Sequence, residues 1–219
     1  NLDGVGEDLF FLSNGHISPV WYSVLSRSGY FETKELYTFR KINSRLQGHP
    51  ATEENLPGIR IASGSLGQGL SVAIGAALTK KLNKDDNTVY VLMGDGEQQE
   101  GQIWEAAMSA PHHKVDNLIA SIDVNGQQID GPTKTVMDLL DLKAKWEAFG
   151  WNVIVTENGN DIKQVIDPLE KAKGLLGKGK PVLNLLHTEM GYGVDFMVGT
   201  HKWHGVAPND LQLEQALGQ

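Results

Sequence analysis

The chain has 219 residues, no cysteine and a formal net charge of −8 at pH 7. Without cysteine it forms neither disulfides nor cysteine-ligated zinc sites. This fits a protein of a reducing compartment, and we expect a cytoplasmic location. The acidic balance argues against a nucleic-acid-binding or membrane-binding surface, where clustered Lys and Arg are expected. No apolar run reaches membrane-spanning length, and the chain length suits a single domain.

Predicted strands and helices alternate along most of the chain. In chain order we predict helices over Pro19–Ser28, Thr33–Lys41 and Gly67–Leu82, strand Thr88–Met93, helix Gly101–Ala110, strand Leu118–Ile122, helix Asp138–Phe149, strand Asn152–Thr156, helix Asp161–Leu176, strand Val182–Leu186 and a capped helix Pro208–Leu217. Such alternation predicts an α/β fold with a doubly wound parallel sheet and helices on both faces.

Oxygen-bearing side chains follow two of these strands. Asp95 stands between Gly94 and Gly96 after one strand, and Asn125 follows Leu118–Ile122. In open α/β sheets, ligands bind outside the carboxyl ends of the strands. Mg²⁺ is held by one or two carboxylates together with phosphate oxygens, and a glycine lets backbone N–H groups approach an anion. Each motif alone is also an ordinary turn, but together they predict a magnesium and diphosphate site.

Five segments, in this order, resemble the transketolase family. They are LSNGHISPVWY from Leu12, LQGHP from Leu46, PGIRIASGSLGQGLSVAIGAAL from Pro57, the pair GDGEQQEG and DVNGQQIDG from Gly94 and Asp123, and HKWHG from His201. The resemblance implies the thiamine diphosphate-binding fold and, over residues 1–219, one diphosphate-binding (PP) domain that lacks the family's extreme N-terminal segment.

The resemblance also implies the residues that hold the cofactor. The metal, Mg²⁺ or Ca²⁺ in its place, would be bound by Asp95, Asn125 and the backbone carbonyl of Gln127. The positions that match contacts with thiamine diphosphate are Gly64, Leu66, Gly94, Gly96, Glu97, Asn125, His16 and His204. Where the family usually has proline, this chain has Ser65, which loosens the loop but leaves both flanking positions intact.

Three histidines and one glutamate match catalytic positions. By resemblance, His16 and His204 face the diphosphate or the reacting carbon, and His49 faces the sugar hydroxyls. Imidazoles there can donate to a developing alkoxide and move protons near pH 7. Glu100 matches an interface acid that communicates with a glutamate of a pyrimidine-binding domain. Without the resemblance, Glu100 is equally an ordinary first-turn helix charge.

The other histidines are interpreted more simply. We regard His112 and His113 as ordinary residues near a helix end and His187 as a near-core residue, with His201 as an uncertain addition to the site. A zinc site formed by His187, His201 and His204 is an alternative. The glycines that flank the HKWH segment indicate a loop, which disfavours it.

The resemblance implies transfer of a two-carbon ketol unit between sugar phosphates. Thiamine diphosphate supplies the carbanion chemistry, but the glutamate that activates it lies on a pyrimidine-binding domain. We therefore expect a separate C-terminal transketolase chain as partner, in a dimer or heterotetramer, and no turnover by this chain alone.

Three alternatives remain open. A 1-deoxyxylulose-phosphate synthase half shares the motif frame, but GHP at Gly48–Pro50, where that family usually has GHQ, favours transketolase. A non-catalytic cofactor-binding module would not need Asp95, Asn125 and the three histidines intact. An NAD-binding Rossmann domain is disfavoured because GSLGQG is not a GxGxxG motif that follows a first strand.

Overall fold

The structure is a computed structural model that describes residues 4–218. The strands are β1 (Leu9–Leu12), β2 (Val89–Gly94), β3 (Leu118–Val124), β4 (Gln127–Gln128), β5 (Gly131–Pro132), β6 (Asn152–Thr156) and β7 (Val182–His187). The α-helices are α1 (Ser18–Arg27), α2 (Gln68–Leu82), α3 (Gly101–His112), α4 (Thr133–Val136), α5 (Leu142–Ala148), α6 (Ile162–Lys173) and α7 (Asp210–Leu217). Within the described residues, no helix is long and apolar enough to cross a bilayer.

Five strands form one parallel sheet in the order β1-β2-β3-β7-β6, and β4 and β5 form a separate antiparallel hairpin. Alternate residues of a strand face opposite sides of the sheet, so two sets of helices cover it. Val91 and Ala120 face the core cluster that includes residues of α2, α3 and α5. Ile119 and Ile154 face the other side and pack with Ala172 of α6. The predicted parallel α/β sheet with helices on both faces is confirmed.

The edge strand β1 is missing from the sequence-based prediction. Its four residues, LFFL, do not alternate, and a short apolar run does not by itself distinguish strand from helix. Pairing with β2, which aligns Leu9 with Val89 and Leu12 with Leu92, makes it a strand. The segment after β1, which carries His16, therefore joins the edge where β2 and β3 end.

The helix predicted over Thr33–Lys41 is wrong in type. The structure has a 3-10 helix over Thr33–Thr38. Arg40 then has a φ of +57°, and its backbone N–H donates to the Leu46 carbonyl at 2.9 Å. A backbone hydrogen bond to the residue six positions later thus replaces the helical one, and the helix does not continue.

The helix predicted over Asp138–Phe149 begins later than expected. Leu140 has a φ of +51°, and the Asp141 carboxylate accepts from the Ala144 N–H at 2.9 Å. Asp141 is therefore the N-cap of α5, since capping carboxylates satisfy the free N–H groups of the first turn. The predicted capping of the last helix is confirmed, because Asn209 is its N-cap and forms a capping box with Gln212.

Candidate functional site

The ends of β2 and β3 lie side by side. The two strands pair in parallel with Gly94 opposite Asp123, and the Asp95 N–H donates to the Asp123 carbonyl at 3.1 Å. One oxygen of the Asp95 carboxylate accepts from the Gly126 N–H at 2.6 Å. This hydrogen bond joins the loop after β2 to the turn that contains Asn125. The structure thus brings the two predicted metal ligands to one place.

Asp95 is a buried carboxylate whose hydrogen-bond donors are backbone N–H groups. Its side chain is only 2% exposed, and its other oxygen accepts from the Gly96 N–H at 2.7 Å. Burial raises the pKa of Asp95 to about 6, and the nearby charge of Asp123 adds to the increase. Among residues 4–218, no Lys or Arg forms an ion pair with Asp95. A buried carboxylate without a cationic side chain fits a bound metal ion as its partner.

Asn125 is held in place by Asp123. The Asn125 Nδ2 donates to Asp123 Oδ2 at 3.0 Å, and Asn125 Oδ1 accepts from the Gln127 N–H at 2.9 Å. The other Asp123 oxygen accepts from the hydroxyl of Thr188. Asp123 therefore fixes which way the Asn125 amide faces. Sequence reasoning did not assign a role to Asp123 or Thr188, although the spacing of Asp123 and Asn125 on one strand end contained a signal.

The oxygen atoms at this edge suit magnesium. Gln127 begins β4 directly after Gly126, whose carbonyl accepts from the Thr133 N–H at 3.0 Å. The Asp95 carboxylate, the Asn125 amide oxygen and a backbone carbonyl are all hard oxygen donors, the type that Mg²⁺ and Ca²⁺ prefer. Within the described part of the chain, no three His, Cys, Asp or Glu side chains form a metal-binding group, and the zinc alternative gains no support.

Gly94 and Gly96 flank Asp95, and hydrogen bonds hold the first while close packing restricts the second. The Gly94 N–H donates to Glu97 Oε2 at 3.1 Å, and its carbonyl accepts from Gln98 Nε2 at 2.9 Å. A Cβ at Gly96 would lie 3.1 Å from Gln128 Cβ, so the close approach of the β4–β5 hairpin requires a small residue there. The contact of both glycines with a diphosphate stays a prediction.

The three predicted catalytic histidines lie in one cluster. His16 belongs to a 3-10 turn after β1, and His204 follows a similar turn over His201–Trp203. The ring centroids of His16 and His204 are 5.0 Å apart. His49 belongs to the same group, since its charge affects the pKa of His16. Residues that are up to 188 positions apart in the sequence are thus neighbours in the fold.

Helix α1 positions the segment that carries His49. The Ser18 hydroxyl donates to the Gly48 carbonyl at 2.7 Å, and the Tyr22 hydroxyl donates to the Gln47 carbonyl at 2.9 Å. Tyr22 is also part of a second apolar cluster, with Leu25, Leu46, Leu56 and Ile59. This cluster anchors the loop beside α1, so His49 is held near His16 by local packing.

The environment lowers the pKa of His16 and of His204. Burial lowers the pKa of His16 to about 4, and the charges of His204 and His49 lower it further, although part of the side chain stays exposed. Burial lowers the pKa of His204, and His201 adds to the effect. A neutral imidazole has one N–H donor and one nitrogen acceptor. At pH 7 His16 can therefore accept a proton as well as donate a hydrogen bond.

Gly64 lies directly against His49. Its φ is +145°, and a Cβ there would be 3.0 Å from His49 Cδ2. We expect Gly64→Ala to lower the free energy of unfolding by about 1–3 kcal/mol, because the backbone conformation disfavours L side chains and His49 must shift.

Gly75→Ala is the matched control. Gly75 lies inside α2 with open space at its Cβ position, so alanine should stabilise the chain by about 0.5–1 kcal/mol. Urea denaturation measures the free energy of unfolding of both variants. If the two substitutions changed it in the same direction, the packing argument would be contradicted.

Two predicted site glutamates have different environments. Glu97 is 1% exposed, and burial raises its pKa. Its carboxylate oxygens accept hydrogen bonds from protein donors, including the Gly67 N–H at 2.8 Å. Glu100 is exposed at the start of α3 and touches the Gly67 position, where a Cβ would lie 2.9 Å from Glu100 Cβ. Leu66 is half-buried beside it. Both Glu100 and Leu66 are thus at least partly accessible to solvent.

The interpretation of His187 as a near-core residue is wrong. The side chain is exposed at the carboxyl end of β7, and its backbone is paired with Val124. Central strands are buried along their length, but their last residues emerge at the sheet edge. His187 therefore lies at the same edge as Asn125.

The whole chain is similar to known proteins. It matches the family model "Transketolase, thiamine diphosphate binding domain" over residues 3–218. It is 41% identical over 210 residues to one of the subunits of the apulose-4-phosphate transketolase of Phocaeicola vulgatus, an alignment that covers 96% of this chain and 73% of that protein. It is 40% identical over 212 residues to the 6-deoxy-6-sulfo-D-fructose transketolase subunit SqwG of a Clostridium species, covering 97% of this chain and 76% of the relative.

Solved structures agree with the sequence relatives. The transketolase from Leishmania mexicana matches with a TM-score of 0.91 at 32% identity, covering 99% of this chain, and this chain spans 33% of that one. The transketolase from Campylobacter jejuni matches with a TM-score of 0.91 at 34% identity, and this chain spans 35% of it. The chain therefore belongs to the transketolase family, in which it is a thiamine diphosphate-binding domain.

Proposed function

We propose that this chain is the metal- and diphosphate-binding subunit of a split transketolase that transfers a two-carbon ketol unit between sugar phosphates. One observation carries the proposal: the Asp95 carboxylate is buried, forms no ion pair with a Lys or Arg of residues 4–218, and accepts from the Gly126 N–H beside Asn125. An arrangement of hard oxygen donors at the carboxyl edge of a parallel sheet suits a magnesium diphosphate.

The residues of the site divide into two groups by chemistry. Asp95, Asn125 and the backbone carbonyl of Gln127 would hold Mg²⁺, for which Ca²⁺ is expected to substitute. Thiamine diphosphate, when bound, supplies the stabilisation of a carbanion. His16 and His204 lie together and have lowered pKa values. As neutral imidazoles, each would use its N–H to donate a hydrogen bond to a substrate oxygen that gains charge, and its other nitrogen to accept the proton that a substrate hydroxyl releases.

A second polypeptide would complete the active site. Two of the named relatives are themselves called transketolase subunits, and the solved transketolases are about three times as long as this chain. Glu100 is exposed and Leu66 is half-buried, so both side chains are accessible to another chain. We propose a C-terminal transketolase chain with a pyrimidine-binding domain as that partner, in a dimer or heterotetramer, and a cytoplasmic location.

Reconstitution tests the proposal. This chain, a pyrimidine-domain chain and their mixture are each supplied with thiamine diphosphate, Mg²⁺ and a panel of ketose and aldose phosphates. We expect ketol transfer only in the mixture, because the activating glutamate and the metal site lie on different chains. Transfer at full rate by this chain alone would contradict the need for a partner.

Two other outcomes of the same reconstitution would indicate a different function. If the wild-type mixture binds thiamine diphosphate in a metal-dependent way but transfers no ketol unit from any donor, the chain is a non-catalytic cofactor-binding module. If the mixture instead condenses pyruvate with glyceraldehyde phosphate, a 1-deoxyxylulose-phosphate synthase is the better assignment. The named relatives are transketolases or their subunits, which favours ketol transfer.

A further inference from the structure

Three of the loops that carry proposed cofactor contacts adjoin β1, α2 and β2. The first follows β1 and carries His16, the second precedes α2 and carries Gly64 and Leu66, and the third follows β2 and carries Asp95. A bound diphosphate would need all three at fixed distances, because a positioning error of about 1 Å costs much of the benefit of preorganisation. Something in the protein must therefore set the spacing of these loops.

A single buried carboxylate touches all three loops. Glu97 Oε1 accepts from the Ser13 hydroxyl in the first loop and from the Gly67 N–H in the second, at 2.8 Å for Gly67. Glu97 Oε2 accepts from the Gly94 N–H at the base of the third loop, at 3.1 Å. Burial of a carboxylate is costly unless hydrogen bonds compensate, and three donors do so here.

Close packing around Glu97 leaves the loops little freedom. The Ser13 hydroxyl also accepts from the Gly69 N–H at 3.1 Å, and a Cβ at Gly69 would lie 2.8 Å from Ser13 Cα. The network thus extends from Glu97 through Ser13 to the first turn of α2. Such tight contacts transmit the position of one loop directly to the next.

We propose that Glu97 is a positioning residue that sets the mutual spacing of the three cofactor-binding loops without touching the cofactor itself. Its two oxygens accept from donors that come from three directions, and the residue is 1% exposed, which leaves the carboxylate almost no surface for a ligand contact. The inference deepens the proposed function and rests on it. Sequence resemblance alone placed Glu97 among the cofactor contacts.

The test is Glu97→Gln, which keeps the size of the side chain but replaces one acceptor oxygen with an NH₂ group. Whichever way the amide turns, at least one of the three protein donors then faces another donor. Backbone amide hydrogen exchange is measured by NMR on the chain without cofactor. We expect exchange at Gly67 or Gly94 to accelerate at least about tenfold, since a lost hydrogen bond of about 1.4 kcal/mol corresponds to that factor. The Ala144 amide, which is bonded to Asp141 at the N-cap of α5, lies outside the three loops, so it serves as the internal reference and should not change.

Cofactor binding is the second readout, measured in the complex with the pyrimidine-domain chain. Affinity for thiamine diphosphate with Mg²⁺ should fall by roughly 10–100-fold in Glu97→Gln, the usual loss when a residue that supports a ligand is removed. Cofactor KM should rise more than kcat falls, because chemistry in the filled site is unchanged. Ser13→Ala, which removes one donor and keeps the carboxylate, should show a smaller loss and covers the case in which Glu97→Gln does not fold.

Two results would overturn the proposal. Unchanged exchange at both Gly67 and Gly94 would show that Glu97 does not hold the loops. A lower melting temperature with unchanged cofactor affinity would make Glu97 an ordinary structural residue. If the wild-type complex binds no thiamine diphosphate, the proposed function fails instead, and the exchange data still decide whether Glu97 holds the loops.

Discussion

Asp95→Asn is expected to abolish magnesium-dependent binding of thiamine diphosphate, with a loss of affinity of at least about 100-fold. Asp95 is the one carboxylate in the proposed ligand set, and mutations of residues that merely support a ligand already cost roughly 10–100-fold. Asparagine keeps the shape but removes the negative charge and one of the two acceptors that bind Gly96 and Gly126. Calorimetric titration of the cofactor, with and without Mg²⁺, measures the effect.

Asp130→Asn is the matched control. Asp130 lies in the β4–β5 hairpin close to the site in sequence, but its side chain is exposed. Asp130→Asn removes the same charge from the chain as Asp95→Asn does. Its cofactor affinity should stay within about twofold of the wild-type affinity, because an exposed charge is screened by solvent. Equal losses in both variants would show that the net charge of the chain, and not the metal site, controls binding.

Asp95→Asn weakens cofactor binding but is expected to stabilise the metal-free chain, by an amount that depends on pH. Its folded pKa of about 6 lies above the usual value of 3.8, so the folded chain binds the proton more tightly than the unfolded chain does. The stabilisation this provides is complete below pH 3.8 and is lost as the pH rises through 6. Relative to Asp95→Asn, the metal-free wild type should lose up to about 3 kcal/mol of unfolding free energy over this window. Denaturation at several pH values measures the difference, and saturating Mg²⁺ should reverse it.

His16 is expected to stay neutral until the pH falls to about 4. Its usual pKa of 6.5 is lowered mainly by burial and further by the charges of His204 and His49. A pKa lowered by that much corresponds to roughly a 300-fold weaker hold on the proton. Because the unfolded chain binds the proton more tightly, His16 lowers stability progressively as the pH falls from 6.5 to 4. NMR titration of the imidazole carbon signals of the assigned histidines measures the pKa directly.

His204→Gln is the test of the cluster. Glutamine keeps a polar side chain but removes the positive charge that a protonated His204 places beside His16 at low pH. The pKa of His16 should therefore rise while staying below its usual value of 6.5, because burial remains. His112→Gln, which lies near the end of α3 and packs against His113 instead, should leave the His16 titration unchanged. An ordinary His16 pKa in the wild type, or no response to His204→Gln, would contradict the contact between the two rings.

Local chemistry explains which elements were predictable. The β2 strand is a continuous apolar run, VYVLM, and the turn after it contains Asp95 between two glycines. Such patterns are properties of a few neighbouring residues, so they are visible in the sequence. The β1 strand and the 3-10 helix over Thr33–Thr38 depend instead on pairing with β2 and on the Arg40–Leu46 hydrogen bond. Neither partner can be identified from the local sequence.

The sequence by itself determined the fold class, the positions of Asp95 and Asn125 at strand ends and the resemblance of five segments to one family. Tertiary structure alone decided how these parts interact. Asp123 orients Asn125, and Glu97 joins three loops, because parallel strand order places distant segments at one sheet edge. His187 lies exposed at that edge for the same reason. The physical cause is that side-chain identity is local, whereas burial, pKa and hydrogen-bond partners depend on which strands become neighbours.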